Sequence, residues 1–298
     1  MKKIIVTGCN GQLGRAINQL YAGNIDGAVA HSTVSAGEYE LVNTDVAELD
    51  ITDIEAVMKF AREVKPYAII NCAAYTAVDA CEEHGDLAYK INAIGARNLA
   101  IAASETGAKL MHISTDYVFE GNNRTTPYTE FDEVNPKSMY GATKRAGEDF
   151  VKQFADRYFI VRTAWLYGDG KNFAKTMLRL SENHDVISVV NDQVGSPTSA
   201  SELAKAIQAL LPTENYGLFH GTCEGSCSWA DFAAEVLRLA GKTTRINPVS
   251  TEEYKKMNPN QADRPSYSIL DNYMLRLTTD FKFAQWEDAI AEYMQGMQ

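Results

Sequence analysis

Tyr140 and Lys144 stand four residues apart in Tyr140-Gly141-Ala142-Thr143-Lys144. On a helix that spacing projects both side chains from one face, one turn apart. An ammonium beside a phenol favours the phenolate and lowers its pKa from about 10, which gives an acid or base usable near neutral pH. A hydroxyl able to join them lies earlier, where an apolar run ends in Ser114-Thr115-Asp116-Tyr117. Two hydroxyl donors at one point stabilise negative charge growing on a carbonyl oxygen. The YxxxK spacing alone is common in helices, so its meaning depends on what precedes it.

What precedes it is a glycine turn. Lys3–Thr7 runs directly into Gly8-Cys9-Asn10-Gly11-Gln12-Leu13-Gly14 and then into a helix-period segment. The pattern is GxxGxxG rather than GxGxxG, with similar logic. Gly8 permits a tight turn, Gly11 lets backbone approach a pyrophosphate, and Gly14 allows close helix-strand packing. The helix N-terminus then faces the phosphates. A dinucleotide site is expected here, with Asn10, Gln12 and Leu13 in the same turn. An acidic residue after the second strand would hold the adenosine ribose. Asp45 occupies that place, and Asp50-Ile51 follows it. A carboxylate at Asp45 repels a 2′-phosphate and leans toward NADH. Asp45 reads equally well as an ordinary turn residue, and it lies further from the glycines than the usual ~20 residues. Cys72-Ala73-Ala74-Tyr75 follows the next apolar run, and its small residues leave room for a flat cofactor.

These residues need a scaffold that brings strand ends together. Strands are expected at Lys3–Thr7, Tyr39–Asn43, Ala68–Cys72, Leu110–Ser114 and Phe159–Arg162, separated by helices at Leu13–Ala22, Asp53–Val64, Asp86–Thr106 and Tyr140–Phe154. Continuous apolar strands alternating with helices signal a parallel sheet covered on both faces. The expected fold is therefore α/β: a doubly wound parallel sheet of Rossmann type, with a smaller C-terminal substrate-binding lobe. Ligands bind such sheets at the carboxyl ends of the strands. Residues 1–165 are assigned to the dinucleotide-binding domain and 166–298 mainly to the lobe. A strand at Val186–Val190, a helix at Ser201–Leu211 and a strand at Gly217–His220 are candidates to return to the first sheet. Helices at Asn172–Asn183, Trp229–Ala240 and Trp286–Met294 are expected in the lobe.

Composition narrows the function classes. The chain has 298 residues, 45% of them hydrophobic, enough for a large core. Lys plus Arg number 28 against 39 Asp plus Glu, a formal charge of −11, which argues against a nucleic-acid partner. The five cysteines are scattered without a CxxC pair, so neither disulfides nor a metal is expected. Cys223 and Cys227 near His220 read as a Gly-rich loop leading into a helix rather than as a metal site. The start MKKIIVTG is too short for a signal segment and no long apolar stretch follows, so no membrane partner and a cytoplasmic location are expected.

Taken together, GxxGQLG, NCAAYT, STDYVF and YGATK resemble the extended short-chain dehydrogenase/reductase family. Further stretches are similar to the branch acting on nucleotide-linked 4-keto-6-deoxy sugars. They are Arg162–Gly168 (RTAWLYG), Asn172–Met177 (NFAKTM), Asn191–Thr198 (NDQVGSPT) and Arg264–Ser268 (RPSYS). The resemblance runs from about Lys3 to Trp286 and implies NADPH- or NADH-dependent reduction of the C4 keto group of dTDP-4-dehydro-L-rhamnose. It implies that Thr115 hydrogen-bonds the C4 carbonyl, that Tyr140 donates the proton, and that Lys144 holds the nicotinamide ribose, with Ser114 beside the cofactor. Thr76, Val78, Asp116, Tyr117 and Trp165 would surround the sugar, and Asn172, Lys175 and Arg264 would lie near the diphosphate. Read by type alone, Lys175 is a solvated helix residue and Trp165 a core filler, whereas Arg264 suits bidentate phosphate recognition. Departures from the pattern are Ala164, where Ser is common, and a longer stretch at Gly23–Gly37. An epimerase or dehydratase of the same fold remains open, as does a non-catalytic subunit that binds S-adenosylmethionine synthetase; a homodimer is among the assemblies left open.

Overall fold

The computed structural model describes residues 1–23, 38–122, 124–257 and 261–297. The long stretch expected before the second strand lies, after Gly23, outside the described residues. From the N-terminus the chain forms β1 (Lys2–Thr7), α1 (Gln12–Tyr21), β2 (Tyr39–Thr44), α2 (Ile54–Val64) and β3 (Ala68–Asn71). Next come α3 (Val78–Glu83), α4 (Gly85–Tyr89), α5 (Ala96–Thr106), β4 (Lys109–Thr115), α6 (Met139–Phe154) and β5 (Tyr158–Thr163).

Five of these strands and Gly217–His220 make a six-stranded sheet in the order Gly217–His220, β5, β4, β3, β1, β2. All neighbours pair in parallel. From β1 the chain moves outward to β2, then returns to β3 on the other side of β1. The strand order reverses there, and such a point opens a crevice beyond the carboxyl ends.

Period-two alternation divides the apolar side chains between the two faces. Ile4, Val6, Ile70, Met111 and Phe159 pack on one face with Ile17 of α1 and Leu203 of the helix Ala200–Leu210. Ile5, Ile69, Leu110 and Ile160 pack on the other with Val57 of α2, Leu99 of α5 and Val151 of α6. Caps fix where helices start: the Asp53 carboxylate accepts from the Glu55 and Ala56 amides before α2, and Ser138 Oγ accepts from the Gly141 amide at the start of α6.

Two expectations need correction. Val186–Val190 does not join the main sheet; it pairs in parallel with Arg245–Val249. The outer edge of β5 is taken by Gly217–His220, which leaves no place there for another strand. The single helix expected over Asp86–Thr106 is interrupted by a π-helical turn at Lys90–Gly95. There the buried Asn92 side chain accepts from the Tyr75 amide at 2.8 Å and donates to the Tyr75 carbonyl at 3.1 Å and to Thr143 Oγ1 at 3.1 Å. The widened turn thus ties the loop after β3 to α6. The three lobe helices run Phe173–Ser181, Trp229–Leu239 and Trp286–Gln295. Short strands accompany them, among them Val194–Gly195 between Cys227–Ser228 and Tyr267–Ser268. Among the described residues no helix is long and apolar enough to cross a membrane.

Candidate active site

The glycine turn is built for close approach. Gly8 has φ +63, and a Cβ placed there would stand 2.8 Å from the Ala73 backbone. One at Gly14 would stand 2.5 Å from the Gly8 carbonyl. Gly11 caps α1 without a side chain, so the first-turn amides keep their donors for a ligand. A cavity of ≈ 480 Å³ lies on one side of the turn, lined by Gly8, Gly11, Asp45, Asp50, Ile51, Cys72, Ala73 and Ala74. A second, of ≈ 490 Å³, lies on the other side and shares Gly11, Cys72 and Ala74. Together they form a trough over the ends of β1, β3 and β4 that suits a two-part ligand bent across a pyrophosphate. Gln12, Leu13, Gly14 and Ser114 also line the second cavity. Asn10 and Tyr75 line neither one: the Asn10 amide donates to Asp45 at 3.3 Å, and Asn92 occupies both backbone groups of Tyr75. Those engagements are long-range and leave no trace in the local sequence.

Thr115, Tyr140 and Lys144 all reach the second cavity. Gly141 lets the first turn of α6 press against the Tyr117 carbonyl, a place with no room for a Cβ. This contact sets Tyr140 edge-on to Tyr117, with ring centroids 5.4 Å apart. The Thr115 hydroxyl lowers the Tyr140 phenol's pKa, opposing the effect of burial. Thr115 also donates to Asp116 Oδ1 at 2.9 Å. Lys144 Nζ donates to the Ile113 carbonyl at 2.6 Å.

The titration behaviour departs from the sequence expectation. Burial raises the pKa of the Tyr140 phenol rather than letting Lys144 lower it. Lys144 is itself pushed down to about 8 by burial, against the charge of Glu148. Desolvation therefore governs the phenol, and Tyr140 keeps its proton at neutral pH. Burial also pushes Asp116 up to about 6, against hydrogen bonds from Ser268 and Thr115.

Of the sugar-facing residues, Thr76, Val78, Asp116, Tyr117 and Trp165 line the same cavity. Trp165 holds a left-handed φ of +48 and stacks on Trp229 with centroids 3.5 Å apart. Gly195 makes room for it, since a Cβ there would lie 2.5 Å from the indole. Trp229 lines the cavity too and carries Phe173 against its ring at 4.6 Å. Sequence reasoning placed Trp229 only at the start of a lobe helix. The capping box of Ser228 and Asp231 marks that start, but nothing local announces a stack with Trp165.

The three residues expected near a diphosphate are placed differently. Arg264 borders two further grooves, and it is held by Asp79 of α3 at 3.1 and 3.2 Å. Asn172 is consumed structurally. Its Oδ1 caps its helix at the Lys175 amide, and its Nδ2 donates to the Gly168 carbonyl and the Tyr293 hydroxyl. Lys175 pairs with Asp169 at 3.3 Å. Neither Asn172 nor Lys175 lines the trough.

Behind the trough lies a group that the sequence reading did not single out. Glu148 and Arg162 are fully buried and joined by two hydrogen bonds of 2.8 and 2.7 Å. Ser114 Oγ donates to the same carboxylate at 2.6 Å. Burial works against the charge on Glu148, yet Arg162 and Ser114 hold its carboxyl down at about 2.

A glycine turn at the reversal point of a parallel sheet, facing a Tyr-Lys helix, is the architecture of the extended short-chain dehydrogenases/reductases. Within that class, the family described as RmlD substrate binding domain matches residues 1–298, and the chain belongs to it. A solved dTDP-4-dehydrorhamnose reductase of Clostridium acetobutylicum is 52% identical, with TM-score 0.91 over 99% of each chain. One from Bacillus anthracis, solved in complex with NADP, is 44% identical, with TM-score 0.90 over 100% of each chain. The spore coat polysaccharide biosynthesis protein SpsK of Bacillus subtilis is 38% identical, covering 99% of this chain and 98% of that protein.

Proposed function

We propose that this chain reduces the C4 keto group of dTDP-4-dehydro-L-rhamnose to give dTDP-L-rhamnose, with NADPH or NADH as reductant. The observation that carries the reading is the 52% identity, over nearly the whole of both chains, with a protein described as that reductase. The site chemistry is consistent with it. The glycine cradle, which added Cβ atoms would fill, and the uncapped start of α1 fit a dinucleotide pyrophosphate. Gly8, Gly11, Gly14 and the α1 amides would hold it, with Asp45 at the adenosine end and Lys144 at the nicotinamide ribose. When bound, the reduced nicotinamide supplies the hydride.

The chain's own residues then have distinct tasks. Thr115 and Tyr140 present two hydroxyls where an oxyanion at C4 would grow. Burial keeps the Tyr140 phenol protonated, so it is ready to donate as the alkoxide forms. Trp165 and Trp229 close the sugar end against water. In this reading residues 1–165, with the strand Gly217–His220, serve the cofactor and residues 166–298 mainly serve the sugar nucleotide.

One feature keeps an epimerase or dehydratase in view: Asp116 sets a carboxylate beside Thr115. The test is loss of absorbance at the reduced-nicotinamide band with each cofactor, with the keto sugar generated in situ. Loss that requires the sugar is the expected result. A cofactor that binds without net consumption, while the sugar is converted, would replace the reductase with an epimerase.

A further inference from the structure

Tyr140, Lys144 and Glu148 follow one another at four-residue intervals along α6, so they form one stripe on the helix. The first two face the trough. The third is 0% exposed and plays no part in the chemistry described above. Its contacts are specific: Arg162 Nε and Nη2, Ser114 Oγ, and Arg145 Nη1 at 3.2 Å. Ser114 immediately precedes Thr115. A buried ion pair adds little net stability over apolar packing of the same volume, so stability alone does not account for a charge at this place.

The surroundings of Lys144 do. Besides α6, the groups around Lys144 and Glu148 are Cys72 from the end of β3, His112 from β4 and Arg162 from β5. Burial holds Cys72 up at about 12, so it is a neutral thiol, and it keeps His112 neutral as well. Arg162 is a cation. On α6, Arg145 and Lys152 approach Glu148 from the outer side, and Tyr140 is uncharged. Glu148 is the anion of this group. We infer that Glu148 is a positioning residue for the proposed reduction: its buried carboxylate, one helical turn from Lys144 and bonded to Ser114, balances the Lys144 ammonium and anchors the strand end that carries Thr115. This rests on the reading of Lys144 as the ribose-holding residue.

The consequence is a pH dependence with a predictable sign. Burial already draws Lys144 down to about 8, and Glu148 opposes that shift. Replacing the carboxylate by an amide leaves Arg162 uncompensated and lowers the Lys144 pKa further. Replacing the partly exposed Arg145 strips a cation from the same carboxylate and raises it.

The experiment measures NADH affinity by nicotinamide fluorescence, without sugar, from about pH 6 to about pH 10. In the wild type, affinity falls as Lys144 loses its proton. Glu148→Gln is expected to move that fall to lower pH by about one unit or more, Arg145→Gln to higher pH, and Glu148→Asp to leave it close to the wild type. A midpoint that stays put in Glu148→Gln, whatever happens to its melting temperature, would overturn the inference. Should Glu148→Gln not fold, Arg145→Gln decides alone, and a midpoint that fails to rise overturns it. Because no turnover is involved, a negative result here leaves the reductase reading standing. Absence of sugar-dependent NADH consumption with normal binding does the reverse.

Discussion

Trp165 lies flat on Trp229, with ring centroids 3.5 Å apart and planes 8° from parallel. One ring comes from the segment after β5 in a left-handed backbone conformation, the other from the start of a lobe helix. Both rings line the cavity that Thr115 and Tyr140 reach.

On the proposed reading, that arrangement makes Trp229 a substrate residue acting partly through its neighbour. An aromatic pair contributes about 0.5–1.5 kcal/mol beyond its buried area. Trp229→Leu should therefore raise KM for the keto sugar several-fold while leaving NADH affinity within about twofold. Steady-state kinetics with the sugar varied would check this. An unchanged KM would mean that the stack is packing alone.

Tyr140→Phe removes only the proton donor. Turnover should fall by about 10² or more with cofactor binding nearly intact. Lys144→Ala should damage both affinity and rate. Unchanged turnover in the phenylalanine variant would overturn the assignment of the donor.

On the proposed reading, Asp45 would shape the choice of cofactor. Its carboxylate accepts from the Asn10 and Val46 amides, so the fold places it beside the glycine turn despite the long intervening sequence. Asp45 and Asp50 both line that cavity; among the described residues its one cationic lining residue is Lys90. A 2′-phosphate would meet an acidic wall. We expect kcat/KM to favour NADH over NADPH by about tenfold, a difference of roughly 1.4 kcal/mol, and Asp45→Asn to shrink that ratio. Equal use of both cofactors by the wild type would refute the role given to Asp45.

Asp116 carries a stability signature. Its folded-state pKa lies near 6, above the ordinary value of 3.8, chiefly through burial. The folded form thus binds the proton more tightly than the unfolded one. The stabilisation this brings is full below the unfolded value and is lost as pH rises through about 6. Asp116→Asn should gain stability relative to the wild type between about pH 4 and pH 8, by an amount on the order of 1–3 kcal/mol. Denaturant titrations at both pH values would show it, and a pH-independent difference would speak against an ionised buried carboxylate.

Much of this was readable from local pattern. The glycine turn, the strand ending in Ser114-Thr115 and the Tyr-Lys helix are each short segments whose own residues define them, and β1 to β5 begin and end within two residues of expectation. What escaped was decided by contacts between distant segments. Asn172 has the type of a ligand residue, but its side chain is taken by Gly168 and Tyr293. Val186–Val190 has the pattern of a central strand, but another strand holds the edge it would need. Glu148 reads as one more helix carboxylate until Arg162 and Ser114 meet it. The proton affinity of Tyr140 departs from expectation because spacing reveals a neighbouring charge and not the depth of burial around it.

The most direct test of the proposed reaction follows the hydride itself. The keto sugar is reduced with NADH carrying deuterium at the transferable position, and the product is examined by mass spectrometry and proton NMR. A hydride delivered to C4 gives dTDP-L-rhamnose with one deuterium at that carbon for each NADH consumed. Sugar converted without deuterium, with the labelled NADH recovered intact, would contradict the reduction and leave a chain that binds the cofactor for another purpose.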